Sequence, residues 1–90
     1  MALVTMYTTR WCPYCVAARE LLERLGVDYE DINVGSDRAL RAEMETRAGR
    51  YTVPQIWIGS RHIGGFDDMN ELHHQGLLEP LLEEMARGGD

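Results

Sequence analysis

Long apolar runs are missing from this chain. No stretch of the 90 residues approaches the roughly 20 apolar positions that a membrane-spanning helix needs. Met1 to Tyr7 has no basic segment, no extended apolar core and no small-residue cleavage site, so it does not read as a secretory signal. The expected setting is therefore the reducing cytoplasm. Positive charge is also short, with 9 Lys and Arg against 15 Asp and Glu, a net charge of −6 and a pI near 4.9. That balance argues against nucleic acid and against anionic membrane surfaces as partners. Cysteine is scarce. The 2 cysteines lie three positions apart, whereas a disulfide framework needs more of them, spread along the chain. In a reducing compartment such a pair is redox or metal chemistry rather than a staple. Repeats, low-complexity tracts and linkers are absent, and residues 1–90 read as one domain. A chain of this length buries roughly 60–65 % of its surface. With 44 % hydrophobic residues it can build a core without cross-links. No large apolar surface stripe is evident, so a monomer is expected.

The pattern of what is present alternates strands and helices. Ala2 to Thr8, rich in Val, Thr and Tyr, suits a buried strand. Pro13 sits where a first helical turn accepts it, and Ala17, Ala18, Leu21, Leu22 and Leu25 form one apolar helix face that Gly26 ends. Val27 to Val34 reads as a second strand. Ser36 is a candidate N-cap for a second helix with Leu40, Met44 and Ala48 inward, stopped by Gly49. Pro54 to Ile58 is a third strand, and Gly59-Ser60 turns the chain into a hairpin with Arg61 to Ile63. Asp68 with Glu71 resembles a capping box for a third helix ending at Gly76. Pro80 can begin a last helix with Leu81, Leu82 and Met85 inward. The order β-α-β-α-β-β-α plus a terminal helix predicts an α/β fold. Its four-stranded mixed sheet has helices on both faces and a parallel, right-handed first crossover. Pattern alone does not order the strands.

Cys12-Pro13-Tyr14-Cys15 directly follows the first strand and opens the first helix. Free backbone N–H groups and the positive end of the helix dipole face the Cys12 sulfur there, and both favour thiolate over thiol. The thiolate is the nucleophile of disulfide exchange. Cys15 lies one turn further in, less exposed but within reach. Cys12 is thus assigned the attack and Cys15 the resolution of the mixed disulfide. The competing reading is half of a zinc site, which would need four ligands. Only His62, His73 and His74 could complete it, and the last two point about 100° apart on a helix. No metal is expected.

Tyr7-Thr8-Thr9-Arg10-Trp11-Cys12-Pro13-Tyr14-Cys15 resembles the active-site segment of the dithiol glutaredoxins. Thr52-Val53-Pro54-Gln55-Ile56 and Ile63-Gly64-Gly65-Phe66-Asp67-Asp68 are similar to that family's two other signature segments, in family order and spacing. The likeness covers essentially the whole chain and is greatest to the bacterial glutaredoxin 3 group. It implies a thioredoxin-like fold and glutathione as co-substrate, with no tightly bound cofactor. It implies glutathionylated proteins or disulfide-containing reductases as partners. It also implies that Pro54 is cis, and that an extended peptide such as glutathione pairs with the Val53 backbone as a short added strand. The glutathione-binding residues it implies are Tyr14, Thr52, Val53, Pro54, Gly65, Phe66, Asp67 and Asp68, to which Arg10 is added as the neighbouring cation expected to substitute where the family pattern is broken. Of Asp67 and Asp68, one can cap the helix while the other takes the ammonium of the γ-glutamyl end. Two positions depart from the common pattern. Thr9 stands where many members carry Lys, leaving Arg10, Arg47 and Arg50 as the candidate cations. Phe66 stands where relatives often carry Cys.

The expected activity is glutathione-dependent reduction of glutathione mixed disulfides and protein disulfides. Two other functions compete. An iron–sulfur carrier would use cysteine thiolate and glutathione as cluster ligands. In this family that behaviour goes chiefly with a Ser in place of the second cysteine, and Pro13 and Cys15 point away from it. A thioredoxin would carry Gly-Pro between its cysteines rather than Pro13-Tyr14, and would be longer.

Overall fold

A computed structural model describes residues 3–88. Met1 and Ala2, on which the expected first strand and the leader reading partly rest, lie outside the described residues. The elements are β1 (Val4–Thr8), α1 (Pro13–Arg24), β2 (Tyr29–Asn33), α2 (Arg38–Ala48), β3 (Gln55–Ile58), β4 (Arg61–Gly64), α3 (Phe66–His74) and α4 (Leu78–Ala86). The sheet is ordered β2-β1-β3-β4. β1 runs parallel to β2 and antiparallel to β3, and β3 and β4 form an antiparallel hairpin. This is the mixed four-stranded sheet of a thioredoxin-like fold, as expected.

Strand periodicity splits the core in two. Val4, Met6, Ile56 and Ile58 face one side, where they pack with Ala18, Leu21 and Leu22 of α1, Met69 of α3, and Leu78, Leu82 and Met85 of α4. Tyr7 and Trp57, one residue out of phase, face the other side and pack with Val34 and Met44 under α2. Both faces of β1 and β3 are therefore covered, which is why these strands read as near-continuous buried runs. Each buried Leu or Met contributes about 1.5–3 kcal/mol. Leu21 and Leu22 alone thus anchor α1 firmly against the sheet, and α1 carries both cysteines at its first turn. Among the described residues no buried side-chain nitrogen or oxygen lacks a hydrogen-bond partner, and no helix is long and apolar enough to cross a membrane.

Several boundaries differ from expectation. The N-cap of α2 is Asp37, not Ser36, and its carboxylate accepts the Leu40 N–H at 3.0 Å. α3 begins at Phe66 with Gly65 as N-cap. Asp68 is then its third residue and accepts the Gly65 N–H, while Glu71 instead accepts from the Gln75 carboxamide. α4 begins at Leu78, which is buried, so Pro80 falls within its first turn. β2 starts at Tyr29 rather than Val27.

Candidate active site

Cys12 ends the loop after β1 and is the N-cap of α1, with extended backbone angles of −109° and 112°. Its sulfur occupies the place of a capping hydroxyl and accepts the Cys15 backbone N–H at 3.3 Å. On its other side the thiol donates to the Val53 carbonyl oxygen at 3.6 Å. Cys12 is half-buried and Cys15 fully buried, and neither is in a disulfide. Burial pushes the Cys15 thiol up to about 12, reinforced by its hydrogen bond to Cys12 and opposed by the Thr9 N–H and the Arg19 charge. Cys15 therefore holds its proton at neutral pH, while Cys12 is the sulfur that an incoming disulfide can reach.

The Val53–Pro54 peptide is cis. Beside it runs a groove of about 290 Å³ lined by Tyr14, Thr52, Val53 and Pro54 on one side and Gly65, Phe66, Asp67 and Asp68 on the other, with Arg50 at its edge. Eight of the nine residues expected to contact glutathione thus share one groove. Arg10 does not. Its guanidinium lies 5.3 Å from the centroid of the Trp11 ring, in a separate cleft that also contains Thr9 and Arg41. Arg47 is absent from both clefts. It packs 4.4 Å from the Trp57 ring centroid and donates to the Tyr7 hydroxyl at 2.9 Å.

The far wall of the groove is held by a charged cap. The Asp68 carboxylate accepts the Gly65 N–H at 2.8 Å and an Arg50 N–H at 3.0 Å. The Gly65 N–H first, and then Arg50, hold the Asp68 carboxyl below the usual carboxylate range. Asp67 is exposed, and among the described residues its side chain makes no hydrogen bond or ion pair. Gly64 closes this corner with φ of 116°, and a Cβ there would collide with the Asp68 carboxylate. Gly64→Ala is expected to lower stability by about 1–3 kcal/mol, from the backbone conformation alone. The displaced Asp68 should add to that loss. Urea unfolding checks it: the midpoint should fall with the slope unchanged.

Residues 4–63 match the glutaredoxin family model. The chain is 51 % identical over 82 residues to a glutaredoxin of Pseudomonas aeruginosa, covering 91 % of this chain and 98 % of that protein. It is 47 % identical over 83 residues to glutaredoxin 3 of Escherichia coli K12, covering 92 % and 100 % respectively. The chain belongs to the glutaredoxin family. The fold agrees: a crystal structure of a buckwheat glutaredoxin–glutathione complex superposes with a TM-score of 0.85 at 32 % identity, over 92 % of this chain and 78 % of that one. As a glutaredoxin it is a thiol–disulfide oxidoreductase that depends on glutathione.

This glutaredoxin contains no lysine, so every fixed positive side chain is an arginine. The residue that sequence reasoning missed among them is Arg41. From α2 it reaches the Tyr51 carbonyl, donating at 2.7 Å, and lines the cleft of Thr9, Arg10 and Trp11. One arginine among nine carries no local signature, and only the packing of α2 brings it there. Among the described residues, His62, His73 and His74 form no metal-holding group with the cysteines.

Proposed function

We propose that this glutaredoxin reduces glutathione mixed disulfides and protein disulfides with Cys12 as nucleophile and Cys15 as resolving thiol. The observation that carries the reading is the Cys12 sulfur at the mouth of α1, 3.6 Å from the backbone carbonyl of Val53 at the wall of the groove. With a glutathionylated protein, Cys12 thiolate attacks the glutathione sulfur, the target leaves as thiolate, and a Cys12–glutathione disulfide forms. A second glutathione thiolate attacks that glutathione sulfur, which releases oxidised glutathione and restores Cys12. With a protein disulfide, Cys12 forms a mixed disulfide with the target. Cys15 then attacks the Cys12 sulfur and frees the target as a dithiol. Two glutathione molecules reduce the resulting Cys12–Cys15 disulfide.

Glutathione lies along the groove with its cysteinyl backbone against Val53, flanked by Tyr14, Thr52, Pro54 and Phe66. Its γ-glutamyl carboxylate meets the free N–H groups at the start of α3, near Gly65. Its ammonium meets Asp67, because Asp68 is committed to the helix start and Arg50. Its glycine carboxylate points towards the arginines of the other cleft, Arg41 with Arg10, which supply the charge that Thr9 lacks. Residues 1–90 act as one catalytic domain. We propose the reducing cytoplasm as its compartment and a monomer as its working form.

The test compares one peptide carrying its cysteine as a glutathione or as a cysteamine mixed disulfide, assayed with glutathione and its reductase. Charge-assisted hydrogen bonds contribute about 1.5–3 kcal/mol each. The glutathionyl peptide should therefore be favoured by about ten- to a hundredfold in kcat/KM. Equal rates for the two, or no turnover by folded protein, would overturn the reading.

A further inference from the structure

His62 and Gln55 take no part in the chemistry described above, yet they connect directly to its groove. Trp57 and His62 are cross-strand partners in the β3–β4 hairpin. Their rings lie 4.6 Å apart between centroids, tilted by 31°. That stacking aims His62 Nε2 at the carboxamide oxygen of Gln55, 2.7 Å away. Gln55 is fully buried and directly follows Pro54. Its amide nitrogen donates back to the Thr52 carbonyl at 3.0 Å and lies 3.2 Å from the Thr52 hydroxyl. Thr52 in turn precedes Val53, whose carbonyl faces Cys12.

These contacts have only one consistent assignment. The Thr52 carbonyl can only accept, so the NH₂ end of the Gln55 amide must face it. The Gln55 oxygen then faces His62 and can only accept, so His62 must carry a proton on Nε2. With a buried carboxamide in the chain, every group is satisfied together or the arrangement loosens. The charged groups facing His62 are Arg50, Arg47 and Asp68. Burial first, then the two arginines, hold the imidazole below its ordinary range, while Asp68 opposes them. The ring is therefore neutral at neutral pH, and its single N–H is the one that Gln55 uses.

We propose that His62 is a positioning residue for glutathionyl transfer: through Gln55, its Nε2–H fixes Thr52 and the Val53 backbone opposite Cys12. The proposal rests on the reading that glutathione pairs with Val53. It separates the hydrogen bond of His62 from its packing on Trp57, and substitutions can test the two apart. His62→Phe keeps an aromatic ring on Trp57 and removes the donor. His62→Gln places an amide N–H where Nε2 stood. His62→Asn is too short to do so.

The experiment measures kcat and KM for a glutathionylated peptide in all four proteins, alongside thermal unfolding and reduction of a protein disulfide. Misplacing a binding wall by an ångström costs up to about a hundredfold. Loss of one buried donor should raise KM about five- to tenfold in His62→Phe and His62→Asn, with kcat within about twofold. His62→Gln should stay within about twofold of wild type in both constants at every pH, because the donor needs no charge. Single-turnover reduction of a protein disulfide by the pre-reduced dithiol protein, without glutathione, should be nearly unchanged in all variants. A wild-type KM in folded His62→Phe would overturn the proposal, as would an equal rise in KM for Gln, Asn and Phe. Should His62→Phe fail to fold, the Gln and Asn pair decides in the same way. A ring proton found on Nδ1 by ¹⁵N NMR would also overturn it. Failure of wild type to turn over the glutathionylated peptide is a different result, since it removes the glutathione reading itself.

Discussion

Replacing Cys12 with serine should bring turnover of every disulfide substrate to background, a fall of about a thousandfold or more. A hydroxyl at this position cannot supply the thiolate that attacks a disulfide sulfur. Cys15 cannot take over, because it is fully buried and its thiol is pushed up to about 12. The loss would be chemical rather than structural. Cys12 is the N-cap of α1, and its sulfur accepts the Cys15 N–H. Serine is among the preferred N-cap residues, with an oxygen that makes the same bond at shorter range. The variant should therefore unfold at the wild-type temperature or slightly above it. Retained turnover in Cys12→Ser would sink the assignment of the nucleophile. Lost turnover with a collapsed unfolding temperature would leave chemistry and folding unseparated, so the unfolding curve belongs in the same experiment.

Much of this site is local in sequence, and that part was readable. The cysteines, the proline between them and the strand before them occupy consecutive positions, so one strand-to-helix junction fixes Cys12 outward and Cys15 inward. The apolar face of Ala18, Leu21 and Leu22 needed only helical periodicity. Where two neighbouring residues offer the same chemistry, the pattern does not choose. Ser36 and Asp37 both cap well, and the longer, charged Asp37 side chain reaches the Leu40 N–H. At α3 the overlapping pairs Asp68–Glu71 and Gly65–Asp68 both fit a helix start. Glycine has no capping side chain, so pattern favoured the wrong one. The structure starts the helix three residues earlier and commits Asp68 to the Gly65 N–H.

What was not readable depends on contacts between distant segments. Arg10 is adjacent to the cysteine motif but packs on Trp11, outside the groove. Arg50, far along the chain, lies in the groove because β3 and β4 bring Asp68 beside it. The strand order needs the pairing of β1 with β3 across some 50 residues, which no local pattern encodes. The link from His62 to Gln55 needs the hairpin register that sets Trp57 opposite His62. From the sequence alone, that histidine was weighed only as a metal ligand.

Replacing Cys15 with serine should divide the substrates. Reduction of a protein disulfide should fall by about a hundredfold or more, since the mixed disulfide with Cys12 loses its internal attacking thiol. Turnover of a glutathionylated peptide needs only Cys12 and external glutathione, and should stay within about threefold of wild type. The trapped mixed disulfide should be visible by mass spectrometry as a covalent adduct on Cys12. Parallel losses on both substrates would instead make Cys15 part of the glutathionyl reaction. Wild-type rates on both would remove it from the mechanism. The pH dependence gives an independent check on the same residue. The Cys15 thiol is raised mainly by burial, so its thiolate is the minor form across the neutral range. Once Cys12 is tied up in a mixed disulfide its sulfur is uncharged, and its share in raising Cys15 is removed, while the burial remains. Resolution of a preformed mixed disulfide in single turnover, without glutathione, should therefore quicken as pH rises. The expected slope is about tenfold per unit while thiolate stays scarce. A flat profile between about pH 6 and 8 would mean that Cys15 ionises readily in the intermediate. The burial around it would then have to open before it attacks.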